Sequence, residues 1–339
     1  MKLILHQYDL HLKHTFKIAH DMRDVQQTLI VELQDGDISG YGEATASKYY
    51  GKTIADMVDL LEANRSHIES YQYQDPADFW EGLKTPFQTN SFALSAIDVA
   101  IHDLYAKKKG LSLIQLWGGS YENLPVSNYT IGIDTVENMV SKLREFPWSS
   151  YKIKLGTNED LKIIRELRSA TDATFRVDAN CGWGVDETLR NAREMKSLGV
   201  EFIEQPLKAD DWEGMKTLFA QSELPLIADE SIEQEEDVMR CKDHFHGVNV
   251  KLMKCGGFTP ARRMIAMAKS LGMKAMVGCM TESSVGISAV AQLLPWLDYV
   301  DMDGFLLISN DTADGPKAKN GAIEIAKGAG IGVDRLLLR

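Results

Sequence analysis

After about Leu124 the chain alternates between short apolar runs, rich in β-branched residues, and longer amphipathic stretches. The apolar runs are 126–133, 151–155, 174–178, 202–205, 226–229, 247–252, 274–277 and 299–301, and between them lie helical patterns such as 158–169, 186–198 and 260–271. Successive runs start roughly 20 to 28 residues apart, the length of one strand-plus-helix unit. Eight such units predict a (β/α)8-type barrel. An open doubly wound sheet alternates in the same way, so periodicity alone leaves both folds in play. No glycine-rich phosphate loop follows the first run, which weakens the dinucleotide-binding version.

The first hundred residues have another texture. Residues 28–33 form a β-branched run that ends in Gln34-Asp35-Gly36-Asp37, a hairpin turn signal, and 38–43 return as a second strand. Apolar residues at helical spacing mark 53–70, and 91–109 form a longer helix that Gly110 ends. This order predicts a small α+β domain ahead of the barrel.

Charge and cysteine content exclude several functions. With 37 Lys+Arg against 49 Asp+Glu, the net charge of −12 argues against nucleic acid or an anionic membrane as partner. No apolar run approaches a membrane span, and the N-terminal residues show no signal-peptide pattern. Cys181, Cys241, Cys255 and Cys279 have no CxxC spacing, so free thiols in a reducing cytoplasm are expected.

Charged residues collect at the C-terminal ends of the predicted strands. These are Lys152 and Lys154, Asp178-Ala179-Asn180, Glu204-Gln205-Pro206, Asp229-Glu230-Ser231, Lys251, and Asp301-Met302-Asp303. A barrel brings all these ends to one mouth, where its chemistry sits. Asp178, Glu204 and Asp229 supply one acid from each of three successive strands, a hard-oxygen set suited to one Mg²⁺ with positions left open. Lys154 precedes these strands and Lys251 follows them, so a closed barrel sets them across the mouth from each other. A lysine beside a cation and another lysine has a lowered pKa and can serve as a base. Two opposed bases around a metal-bound carboxylate predict racemisation or epimerisation at its α-carbon. Lys254, three residues past Lys251, is expected to be a solvated or helix-capping lysine.

Together these motifs resemble the enolase superfamily, in its muconate-lactonising-enzyme subgroup, across nearly the whole chain. The resemblance implies an α/β architecture: an α+β capping domain (1–120), a (β/α)7β TIM-type barrel (121–312) and a C-terminal tail (313–339) returning to the cap. It implies Mg²⁺ on Asp178, Glu204 and Asp229, acid/base roles for Lys154 and Lys251, and a substrate-carboxylate contact for Lys152. Asn180 and Glu230 would stand beside the metal ligands. Asp301 and Asp303 look like the paired aspartates with which dipeptide epimerases hold the α-ammonium of an N-terminal residue, and two carboxylates suit its three donors. Cys279 and Met280 would lie near the dipeptide.

Specificity is expected from cap loops 14–26 and 45–53. Glutamate-accepting members carry an arginine in the first loop; ungapped counting places that position on Asp21, with Arg23 two residues later. An inward Asp21 would favour neutral or cationic side chains, whereas an inward Arg23 would preserve glutamate recognition. Tyr49 and Tyr50 could form an apolar wall. N-acylamino acid racemase, o-succinylbenzoate synthase and muconate cycloisomerase share the metal site and lysines but bind no free ammonium. A non-catalytic ligand-binding barrel is a more remote alternative. A small-molecule dipeptide is the expected partner, and a homo-oligomer the expected assembly.

Overall fold

The computed structural model describes residues 1–18, 21–72 and 74–337, and for Ile18 and Asp21 the backbone alone. The N-terminal part is an antiparallel sheet of β1 (Lys2–Ile18), β2 (Asp21–Asp35) and β3 (Ile38–Thr45), in that order. The hairpin at Gly36, whose φ is +63°, is where the sequence placed it. β1 escaped the sequence reading because His, Lys and Gln interrupt its apolar residues, although Leu3 and Leu10 are fully buried.

Helices α1 (Ile54–Ala63), α2 (Arg65–Ser70), α3 (Pro76–Lys84), α4 (Ser91–Lys109) and α5 (Leu113–Leu116) follow. The single helix expected over 53–70 breaks at Asn64. Its ψ of 5° leaves the helical range, and its side-chain amide donates to the Leu60 carbonyl, an alternative to the continuing helix. α4 is the spine of the cap. Asn90 accepts from the Ala93 amide at its start, three lysines complement the dipole in its last turn, and left-handed Gly110 ends it. β3 lies directly against it: a Cβ on Gly42 would sit 2.0 Å from the Ala96 carbonyl oxygen.

The remainder is a parallel barrel. Its elements are β4 (Tyr129–Ile131), α6 (Val136–Glu145), β5 (Ser150–Lys154), α7 (Asp160–Ala170), β6 (Thr174–Asp178), α8 (Val185–Ser197), β7 (Val200–Glu204) and α9 (Trp212–Gln221). β8 (Leu226–Ala228), α10 (Glu235–Cys241), β9 (Gly247–Val250), α11 (Leu252–Cys255), α12 (Phe258–Ser270), β10 (Lys274–Gly278), α13 (Ser284–Ala291) and β11 (Tyr299–Asp301) complete it. The strands pair in sequence order, and Ser127, just before β4, bridges in parallel to Val300 of β11, joining the two edges. This is the (β/α)7β order, and the open-sheet alternative is set aside.

Strand alternation sorts the side chains. On β5, Tyr151 and Ile153 join the apolar layer beneath the helices, while Lys152 and Lys154 face the barrel axis. Phe202, Ile227 and Met276 form a separate apolar floor inside the barrel, with Tyr299 against it. Above that floor the interior is polar and charged. After β11 the chain forms a short hairpin, β12 (Lys317–Lys319) and β13 (Ala322–Glu324), and then meets the cap. There the Ile331 amide donates to Asp103 Oδ1, and Lys107 Nζ donates to the Val333 carbonyl. Among the described residues, no helix is long and apolar enough to cross a membrane.

The contact between β3 and α4 gives a direct test. Gly42→Ala forces a methyl group into the helix backbone, which cannot yield as a side chain does. We expect a loss of about 3 kcal/mol in urea unfolding, with the exposed turn substitution Asp37→Ala costing under about 0.5 kcal/mol.

Candidate active site

The register of the sheet brings the charged residues together. Lys154, Asp178 and Glu204 are neighbours across β5, β6 and β7. Asp229 stands at the next strand end, and Lys251 follows β9. Oxygens of Asp178, Glu204 and Asp229 lie within 4.8 Å of one another, and all three side chains are buried. Asp229 borders a cavity of about 190 Å³ between barrel and cap, which Lys152, Lys154 and Lys251 also line.

Each carboxylate has lysine partners. Lys154 Nζ donates to Asp178 Oδ2 at 2.6 Å, and Lys251 Nζ donates to Asp229 Oδ2 at 2.7 Å. The two lysines therefore anchor at opposite ends of the triad. Lys152 Nζ reaches across the axis to Glu204 Oε1 at 3.0 Å and Asp301 Oδ2 at 2.9 Å. Asn249 also donates to Glu204 Oε1, at 2.9 Å.

Lys254 departs from expectation. It is 4 % exposed, and its ammonium donates to both Oδ1 and the backbone carbonyl of Asp229, each at 2.6 Å. It is neither solvated nor a helix cap. α11 is a single short helix ended by left-handed Gly256 and Gly257, and that abrupt reversal turns residue 254 back under Asp229. The spacing Lys251–Lys254 and the glycine pair were visible in sequence, but the direction of so short a helix was not.

These charges set one another's protonation. Burial works to raise Asp229, but Lys251 and Lys254 outweigh it and hold the carboxyl well below its ordinary range. Burial likewise works to raise Asp178, and Lys154 and Lys152 overcome it. Glu204 is pushed up to about 8 by burial, with Asp178 and Asp229 reinforcing it against Lys152. Glu230 is pushed up to about 7 by burial and then by Asp229 and Asp178. Lys251 is pulled both ways. Burial does act to lower it, but the Asp229 carboxylate in contact raises it further.

The donor set fits a divalent cation. Six buried or half-buried carboxylates at this mouth (Asp178, Glu204, Asp229, Glu230, Asp301, Asp303) face four lysines (152, 154, 251, 254). The carboxylates outnumber the lysines, and the missing positive charge is of the sign that a bound cation, or protons on Glu204 and Asp303, would supply. Among the described residues, buried Glu204 Oε2 and Glu230 Oε2 accept no hydrogen bond, although Glu204 Oε2 lies 2.9 Å from the Lys152 ammonium. A buried carboxylate oxygen that accepts no hydrogen bond is free to serve as a cation ligand. Asn180 sits beside the triad: its amide N–H donates to Asp178 Oδ1 at 2.9 Å, and its side chain donates to Glu230 at 3.3 Å. Asn180, Cys181 and Gln205 all take left-handed backbone. Gln205 Oε1 in turn accepts from the Asp229 and Ser231 amides, tying two strand ends together. Such strain concentrates where a site over-determines the backbone.

Asp301 and Asp303 open on the same cavity. Asp301 Oδ1 accepts from Asn128 at 2.7 Å, and Asp303 Oδ2 accepts from the Thr130 amide at 2.5 Å. Burial and then Asp301 push Asp303 up to about 8, whereas burial of Asp301 is outweighed by Lys152, which lowers it. Cys279, Met280 and Thr281 form one wall, and Phe16, Arg23, Tyr49, Tyr50 and Leu307 contribute the cap side and the rim. Arg23 lies over the Phe16 ring and donates to Thr281 Oγ1 at 3.3 Å. The side chain of Asp21 lies outside the described residues. Sequence reasoning did not assign Asn128, Thr130, Asn249 or Glu282, because isolated polar residues on buried strands, or just outside them, carry no pattern until the barrel closes.

Comparison with known proteins places this arrangement. Residues 3–118 match the mandelate racemase / muconate lactonizing enzyme N-terminal domain, and residues 134–335 match the enolase C-terminal domain-like family. The chain belongs to the mandelate racemase/muconate lactonizing enzyme family. Within the family it is 56% identical over 336 residues to an L-Ala-D/L-amino acid epimerase of Flavobacterium johnsoniae, covering 99% of this chain and 100% of that protein. Its fold superposes on the substrate-liganded L-Ala-D/L-Glu epimerase of Bacillus subtilis with a TM-score of 0.94, 26% identity and full coverage of both chains. A dipeptide epimerase of Cytophaga hutchinsonii, complexed with Mg and D-Ala-L-Val, gives a TM-score of 0.93 at 25% identity, covering 98% of this chain and 95% of that one.

The double anchoring of Asp229 predicts a stability effect. Lys254→Met strands one carboxylate oxygen in the interior, and we expect it to cost about 3 kcal/mol in chemical denaturation. Lys162→Met, on the exposed face of α7, should change stability by under about 0.5 kcal/mol.

Proposed function

We propose that this chain is a Mg²⁺-dependent dipeptide epimerase that inverts the α-carbon of the C-terminal residue. The observation that carries the reading is the pair Lys154 and Lys251, anchored on opposite ends of a buried carboxylate triad, with paired aspartates at the same mouth. Full-length similarity to an L-Ala-D/L-amino acid epimerase supports it.

Asp178, Glu204 and Asp229 would hold the cation, with Asn180 and Glu230 beside them. When bound, the cation loosens the carboxylates' hold on the lysine protons and stabilises the second negative charge that a substrate carboxylate gains on losing its α-proton. Asp301 and Asp303 take the substrate's α-ammonium, which fixes the peptide's direction. Lys152, between Asp301 and the triad, meets the substrate carboxylate. One of Lys154 and Lys251, as the free amine, removes the α-proton as the C–H electron pair moves into the carboxylate. The other, as ammonium, returns a proton to the opposite face. The two lysines exchange protonation states with each inversion.

The cap sets the preference for side chains. Arg23 on the cavity wall supports acceptance of glutamate, while Phe16, Tyr49, Tyr50, Met280 and Leu307 supply apolar surface for neutral side chains. We therefore propose L-Ala-Xaa substrates, with L-Ala-D/L-Glu among them. The four free cysteines fit the reducing cytoplasm in which we place the reaction.

The test is mass spectrometry in D₂O with Mg²⁺, using L-Ala-L-Xaa dipeptides and their N-acetyl counterparts. We expect one deuterium at the C-terminal α-carbon of free dipeptides, none in acetylated ones, and loss of exchange with EDTA. Exchange confined to acetylated compounds refutes the ammonium site. Lys154→Ala and Lys251→Ala should each lower epimerisation by about 10³-fold or more while at least one retains exchange from a single enantiomer. Undiminished epimerisation by either variant rules out two-base transfer.

A further inference from the structure

Glu282 is a buried acid that the reaction above does not use. It follows the segment 279–281, which lines the cavity directly after β10. Its Oε1 accepts the Met280 amide at 2.7 Å. Its Oε2 is packed against the first turn of α13, where a Cβ on Gly286 would come within 2.1 Å of it.

A second buried acid reaches the same place from the cap. Glu43 of β3 accepts from the Ser283 amide at 3.0 Å, Ser283 Oγ at 2.5 Å, the Gly286 amide at 2.8 Å and Thr28 Oγ1 at 2.7 Å. Burial raises the Glu43 carboxyl, and these four donors act against that rise by favouring the ionised form. Glu282 has the Met280 amide and the charge of Glu43 nearby. Burial, then that charge, push Glu282 up to about 8, so it keeps its proton at neutral pH. The two acids therefore divide the work: Glu43 binds the cap to the start of α13, and Glu282 is a neutral acceptor.

We infer that Glu282 is a positioning residue for the epimerisation: by holding the Met280 amide it fixes the 279–281 wall against which the dipeptide lies. The inference rests on the function proposed above. A Met280 N–H committed to Glu282 locks the plane of the Cys279–Met280 peptide, and with it the direction of the Cys279 carbonyl. Without that acceptor the amide is left unsatisfied in the interior, and the wall turns to find another partner.

The experiment measures KM and kcat for a free L-Ala dipeptide with Mg²⁺ in wild type, Glu282→Leu and Glu282→Gln, with a thermal melt for each. Leucine keeps the volume and removes the acceptor, and KM should rise roughly ten-fold or more while kcat falls less. Glutamine keeps both volume and acceptor and should restore KM to within about two-fold of wild type. If Glu282→Leu does not fold, Glu282→Asp, whose shorter side chain withdraws from Met280, takes its place in the same comparison. An unchanged KM in the leucine or aspartate variant overturns the inference, as does glutamine behaving like leucine. A wild-type chain inert toward all dipeptides removes the function as well; an active wild type with an indifferent Glu282 removes the positioning role alone.

Discussion

The structure depends on holding like charges together in a space from which water is largely excluded. Asp178, Glu204 and Asp229 lie within 4.8 Å of one another. Isolated, such charges in a low-dielectric interior would cost far more than a fold of this size can spare. They persist because lysines from two surrounding segments reach them, and because burial pushes Glu204 up to about 8. The barrel is what supplies those lysines. Lys152 and Lys154 come from β5, and Lys251 and Lys254 from the start of α11, just after β9. The closed ring of strands brings both pairs to one acidic triad, the first pair to Asp178 and Glu204 and the second to Asp229.

The cap and the barrel are then parts of one site rather than a scaffold with a lid. Arg23 and Phe16 from the β1–β2 hairpin and Tyr49 and Tyr50 from the following loop face the strand ends. Glu43 crosses from the cap sheet to grip the residues after β10. The tail returns from the barrel to Asp103 and Lys107 on α4. In the proposed reaction the barrel mouth carries the reacting groups, and the cap lines the way to them.

The parts legible in sequence are those with a period or a motif. Strand–helix alternation narrowed the fold to a barrel or an open doubly wound sheet, and the acids and lysines at strand ends marked where its chemistry would gather. The strand expected at 174–178 and the one at 299–301 stand where expected, while the first, expected over 126–133, shortens to Tyr129–Ile131. Local turn chemistry was legible too, at Gly36 and Gly110. β1 was not, because a cap edge strand with one wet face mixes polar residues into its apolar ones. Lys254 was misjudged because nothing local tells a solvated lysine from one folded back under an aspartate.

By itself, the sequence determined the order of elements, which residues share a strand face, and which charges gather at one end of the sheet. These follow from periods of two and 3.6 residues, which are properties of the backbone. Only the tertiary structure decided which charge meets which: Lys154 with Asp178, Lys251 and Lys254 with Asp229, Lys152 with Glu204 and Asp301. Those pairings, and the protonation of Glu204, Glu230, Asp303 and Glu282, depend on burial and on neighbours many residues away in the chain. Barrel closure and the docking of the cap create that burial and bring those neighbours in.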